Sequence, residues 1–151
     1  MGRIFWIFFF VLIIGGIGFY FYNNDSYRRS IEAKYYYMKG DYSKAYILSR
    51  EAFDADPYNK MAFTIMTQSK IAAKYQDYIK EGRYFLKEIK KISDKDLVTK
   101  ADKIRIKMMC ETMMEKYKNL SPTVLTDKTL VKEAMKTYKQ FKQIYEDLFQ
   151  E

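Results

Sequence analysis

The carboxylate pairs Asp54/Asp56 and Asp94/Asp96 are the residues of this 151-residue chain that come nearest to acid–base spacing. General acid–base work needs two groups in different environments, one ionised and one holding its proton. Both pairs instead fall at turns and helix starts, where the helix dipole favours acids, so they read as capping or solvated residues. The chain has no histidine and one cysteine, Cys110. That excludes a histidine-containing zinc site, a histidine-dependent triad and an internal disulfide. Cys110 follows two methionines and reads as a small packed residue rather than a reactive thiol. Gly15, Gly16 and Gly18 lie inside an apolar run and cannot form a phosphate-cradling loop. No catalytic residue, metal, cofactor or small-molecule substrate is expected, and an enzyme is the class with least support.

Charge leaves binding as the alternative. The formal net charge is +8. It remains +7 after the N-terminal apolar segment, from 26 basic against 19 acidic residues. Such a surplus suits nucleic acid, an acidic protein or an anionic membrane surface. Between Lys80 and Lys107 ten basic and five acidic residues are interspersed along helical patterns, which reads as a solvated face. No aromatic platform with basic flanks accompanies them, so nucleic acid is not an expected partner. Met108, Met109, Met113 and Met114 form a soft apolar cluster and read as core filler.

The elements that would carry a binding surface begin with Ile4–Tyr22, IFWIFFFVLIIGGIGFYFY, which contains no charge. At about 1.5 Å per residue it would span roughly 28 Å, close to a bilayer's hydrocarbon core. Its aromatic end gives way to Asn-Asn-Asp, as at a membrane interface. The sequence predicts a single-pass transmembrane anchor over residues 1–22 rather than a cleaved signal peptide, whose charged leader would here be one arginine. Arg28, Arg29, Lys34 and Lys39 follow the segment, so the positive-inside bias favours a cytoplasmic domain at a bacterial inner membrane.

Residues 23–151 read as all-α: strand-like alternation is nearly absent and both prolines fall in connections. Gly40-Asp41-Tyr42 separates two helical patterns, Ala45 and Ala52 share one helix face, and Asp56-Pro57 closes the run. With Ala33 and Tyr36 ahead of the turn, this stretch resembles a tetratricopeptide repeat, a 34-residue helical hairpin that stacks into a solenoid. The repeat would run over residues 26–59. Arg29, Glu32 and Ser49 stand where the pattern usually has apolar or aromatic residues, as a terminal repeat could allow.

A second, degenerate repeat is expected over residues 60–93, with Asn59 as N-cap, Phe63 and Met66 on its face, and a second helix over residues 78–92. Residues 94–150 read as a longer helical pair. Ser93 with Asp96 is expected to cap the first helix. Leu97, Ala101, Ile104 and Met108 form one stripe on it; Ile106, Cys110, Met113 and Tyr117 form another. Asn119 to Pro122 breaks this helix, and Thr126 or Asp127 caps the last. Val131, Ala134, Tyr138, Phe141, Tyr145 and Leu148 then make a heptad seam, either packed on the preceding helix or offered to a partner.

The resemblance implies a protein-binding module that uses the face made by first helices. Its partner-binding candidates are Lys34, Tyr37 and Met38 from the first repeat, with Thr64, Gln68 and Ile71 from the second. Ser30 and Lys34 occupy the positions of a carboxylate clamp, so capture of a C-terminal carboxylate is not implied. Small membrane-anchored repeat proteins of this kind look like scaffolds, assembly factors or chaperones of bacterial envelope machines, such as flagellar motors with their stators, or secretion and division complexes. The expected partner is a membrane protein. The alternatives are a permanent structural subunit of a membrane complex, or a basic tether for an anionic membrane or acidic partner surface.

Overall fold

In a computed structural model describing residues 2–149, with side chains from 6 to 19 and from 24 to 149, the chain is all-helical. The described residues form six helices and no strand: α1 (Gly2–Asn23), α2 (Asp25–Met38), α3 (Tyr42–Ala55), α4 (Lys60–Ser93), α5 (Lys100–Lys118) and α6 (Lys128–Phe149). They fall into two compact units, Met1–Lys70 and Ile71–Glu151, with α4 contributing to both.

The N-terminal expectation needs correction. Along α1 the large apolar side chains from Trp6 to Phe19 are 41–69% exposed, on every side of the helix. No helix among the described residues is long and apolar enough to cross a membrane. The single-pass anchor, and the inner-membrane localisation inferred from it, are therefore overturned. The side chains at the two ends of the expected span, Ile4, Phe5 and Tyr20-Phe21-Tyr22, lie outside the described ones.

In the first unit, α2 and α3 form a helical hairpin. Asn24 caps α2, accepting from the Ser26 and Tyr27 amides at 3.1 and 3.3 Å. The turn needs one left-handed residue, supplied by Gly40 at φ +79°, where a side chain would strain the backbone. Asp41 caps α3 through the Lys44 amide at 3.1 Å. Small residues let the helices approach closely: Ala33, Ala45, Ala52, Ser30 and Ser49 are all fully buried. Ser49, which departs from the repeat pattern, is accommodated because its hydroxyl donates to the Ala45 carbonyl at 2.6 Å.

Asn59 joins the start of α4 to this hairpin. It is fully buried, and its Oδ1 accepts from the Ala62 amide at 3.0 Å as an N-cap. Its Nδ2 donates to Ser26 Oγ at 2.9 Å and Ser30 Oγ at 3.3 Å. Ser26 passes its own proton to the Ala52 carbonyl at 2.7 Å, and Ser30 passes its proton to the Tyr27 carbonyl at 2.8 Å. Every donor is used, which is the condition for a buried polar network to stabilise rather than cost.

The expected second repeat does not form its hairpin. Residues 60–93 make one helix of 34 residues. Gly82, the only helix breaker in that stretch, serves packing instead of a turn: a methyl there would collide with Thr137 Cγ2 and crowd Met113 Cε at 3.1 Å and Phe141 Cε2 at 3.4 Å. In the second unit the later part of α4 packs with α5 and α6 around Tyr75, Tyr78, Ile79, Ile106, Cys110, Met113, Ala134 and Phe141. Of the two stripes on α5, the one with Ile106, Cys110 and Met113 is buried, at 3% exposure or less, while Leu97, Ile104 and Met108 are 60–76% exposed.

The start of α5 also moves. Ser93 ends α4, donating to the Ile89 carbonyl at 3.0 Å. Thr99 caps α5 in a reciprocal box: its hydroxyl oxygen accepts from the Asp102 amide at 3.1 Å, and the Asp102 carboxylate accepts from the Thr99 amide at 3.2 Å. Asp102 also accepts from Thr99 Oγ1 at 2.8 Å and from Lys95 Nζ at 2.7 Å. The Lys95 ammonium first, then these Thr99 bonds, hold its carboxyl down at about 2.

Candidate functional site

The sequence-derived binding residues divide between the two units. On α2, Lys34 and Met38 are exposed, and Tyr37 is half-buried with its ring 5.4 Å from that of Tyr42. Tyr37 is therefore partly occupied in holding the hairpin. On α4, Thr64 is exposed, its hydroxyl donating to the Lys60 carbonyl at 2.8 Å, and Gln68 is half-buried. Ile71 belongs to the second unit and packs against that unit's core cluster. The six do not belong to one repeat pair, because α4 supplies no second hairpin.

A better-defined surface on α2 was missed. Ile31, Tyr35 and Met38 recur at helical spacing and are 55%, 52% and 76% exposed, with Lys34 among them. They leave uncovered one flank of a helix whose inner face, Ser26, Ser30 and Ala33, is buried. Tyr35 is bracketed by the Tyr36 ring, edge-on at 5.4 Å, and by Lys39 Nζ, 4.5 Å above its ring. The Lys44 ammonium caps Tyr36 in turn, 3.9 Å from the ring and donating to its hydroxyl at 2.7 Å. The helical spacing of Ile31, Tyr35 and Met38 is visible in the sequence; what hid it was the assumption that apolar spacing marks the buried face.

The C-terminal seam is spent within the chain. Ala134 and Phe141 are fully buried, and Val131 and Tyr145 pack against the same core. Tyr138 stacks on Tyr117 of α5 at 4.5 Å between centroids. Tyr145 donates to Glu111 of α5 at 3.2 Å. Only Leu148, 54% exposed, stays outside. Of the seam Val131, Tyr138, Phe141, Tyr145 and Leu148, expected either to pack within the chain or to meet a partner, all but Leu148 make contacts inside the second unit.

The methionine cluster divides. Met113 is core, whereas Met108 and Met109 line an open cleft of about 300 Å³ with Tyr84, Phe85 and Arg105. Cys110 is fully buried, and burial first, with the Glu111 charge second, pushes its thiol up to about 11. Such a thiol stays protonated near neutral pH and is a poor nucleophile. Burial likewise raises Tyr78, whose hydroxyl has no partner. Among the described residues no group of three or more histidine, cysteine or acidic side chains could hold a metal ion. The chain matches no family model, no curated protein and no solved structure.

Proposed function

We propose that the chain is a protein-interaction module, a scaffold or assembly factor that holds a protein partner against the exposed flank of α2. The observation that carries this reading is the stripe Ile31, Tyr35 and Met38, more than half exposed on a helix whose other side is fixed. Exposed apolar groups at helical spacing suit the apolar face of a partner helix or peptide, and aromatic and methionine side chains are favoured at such contacts. The buried Asn59 network holds the hairpin in one arrangement, so little ordering cost would fall on binding. The helical hairpin's resemblance to repeat modules points the same way.

The test is in-cell photocrosslinking of the full chain with reactive residues at Ile31 and Met38 and a control at the exposed Arg50 of α3. Recurrent adducts to one protein from the two α2 positions, absent at the control and lost in Tyr35→Glu, are expected. Adducts scattered over many proteins, or equal at the control, would overturn the reading.

A further inference from the structure

The outward face of α6 carries Lys128, Lys132, Lys136, Lys139 and Lys142, all exposed. Successive steps of four, four, three and three residues keep them on one stripe, opposite the buried Ala134, Thr137 and Phe141. Lys142 lies 3.5 Å from Glu146. The other acids of α6 are engaged elsewhere, Glu133 with Arg83 of α4 and Asp147 with Gln143 at 2.7 Å. Among the described residues no carboxylate lies within 4.0 Å of Lys128, Lys132, Lys136 or Lys139. The lysines of this helix thus gather on one face.

A trough of about 550 Å³ opens beside the stripe, lined by Thr129, Lys132, Glu133, Met135, Lys136 and Lys139. Met135 is 43% exposed at its middle. The site therefore offers one soft apolar seat ringed by ammonium groups.

We infer that this α6 face is a docking site for an acidic amphipathic helix of a protein partner, independent of the α2 surface. The four lysines stand at axial steps of about 6, 6 and 4.5 Å along the helix, the steps between residues i, i+4, i+8 and i+11 of a facing helix. A leucine or phenylalanine among those carboxylates would rest on Met135. Nucleic acid fits less well. The face has no arginine for bidentate phosphate contacts and no exposed aromatic for base stacking, since Tyr138, Phe141 and Tyr145 face the core. An anionic lipid surface would want several apolar side chains to insert, and Met135 stands alone among the lysines.

The experiment titrates the full chain with a labelled helical peptide of roughly 20 residues, long enough to hold a helix. Its glutamates follow the i, i+4, i+8, i+11 spacing around one leucine. Comparison probes are the same peptide scrambled, a single-stranded oligothymidine, and phosphatidylcholine vesicles containing phosphatidylserine. The ordered peptide is expected to bind tightest. Lys132→Glu/Lys136→Glu/Lys139→Glu should weaken it by about tenfold or more, with unchanged helical circular dichroism. A charge-reversed peptide should bind that variant in preference to the original chain. Equal binding of the scrambled peptide, or tighter binding of oligothymidine or vesicles, would overturn the inference. Met135→Glu, which keeps every lysine, should weaken the ordered peptide as well; no effect would remove the apolar seat and with it the proposed occupant.

Discussion

At the scale of single residues, Gly82 sets the closest approach in the second unit. Alanine is the better helix former by about 1 kcal/mol, so propensity alone favours Gly82→Ala. Packing opposes it: the added methyl meets Cγ2 of Thr137, a β-branched side chain with little freedom to turn and a hydroxyl already bonded to the Glu133 carbonyl at 3.0 Å. Overpacking should win, with a net loss of about 1–3 kcal/mol in chemical denaturation. Gly82→Ala/Thr137→Ser, which removes the obstructing methyl, should recover most of it. Asp102 has a consequence in acid. Its carboxyl is held at about 2, below the ordinary 3.8, so its contribution to stability is complete above the ordinary value. It is lost as pH falls from about 4 towards 2, as the folded state takes up its proton. The denaturation midpoints of the original chain and Asp102→Asn should differ by a constant amount above pH 5 and converge near pH 2. A gap that persists at pH 2 would mean the charge is not what Asp102 contributes.

At the scale of elements, the junction of α2, α3 and α4 is polar where most helical junctions are apolar. Asn59→Ala would leave the Ala62 amide without its cap partner and open a small cavity beside Ser26 and Ser30. A loss of about 2–4 kcal/mol is expected, read by chemical denaturation. The hairpin around the turn at Gly40 and the Asn119 break were legible in the sequence because glycine, proline and capping residues mark them locally. The uninterrupted α4 was not. The reason for a glycine at position 82 shows only when Phe141, 59 positions later, is seen to lie against it. The start of α5 was misplaced for a local reason: Ser93/Asp96 and Thr99/Asp102 are equivalent caps on paper, and only the engagement of Ser93 with Ile89 decides between them. Of the site, the positions of Lys34 and Met38 were legible, whereas burial of Ser26, Ser30, Ser49 and Asn59 was hidden because their polarity predicts a surface. The lysine stripe of α6 was written openly in the spacing, but the apolar seam on the same helix drew the reading to the other face.

At the scale of the whole molecule, two units with separate cores should lose structure separately. Gly82→Ala should lower hydrogen-exchange protection in α5 and α6 while α2 and α3 keep theirs, and Asn59→Ala should do the reverse. Equal loss in both units under either substitution would show a single cooperative block. Cys110 makes one half of this measurable by simple chemistry. It is the chain's only thiol, completely buried and held protonated well above neutral pH. A thiol reagent can therefore consume it only when the second unit opens, and the rate of that consumption becomes a clock for the event. When closing outruns the reaction, the labelling rate near pH 8 reports the open fraction directly, tenfold faster for each 1.4 kcal/mol removed. Gly82→Ala should run the clock faster by that rule, and Asn59→Ala should leave it unchanged. The molecule thus carries its own stopwatch for one of its two halves, with no label to be engineered in.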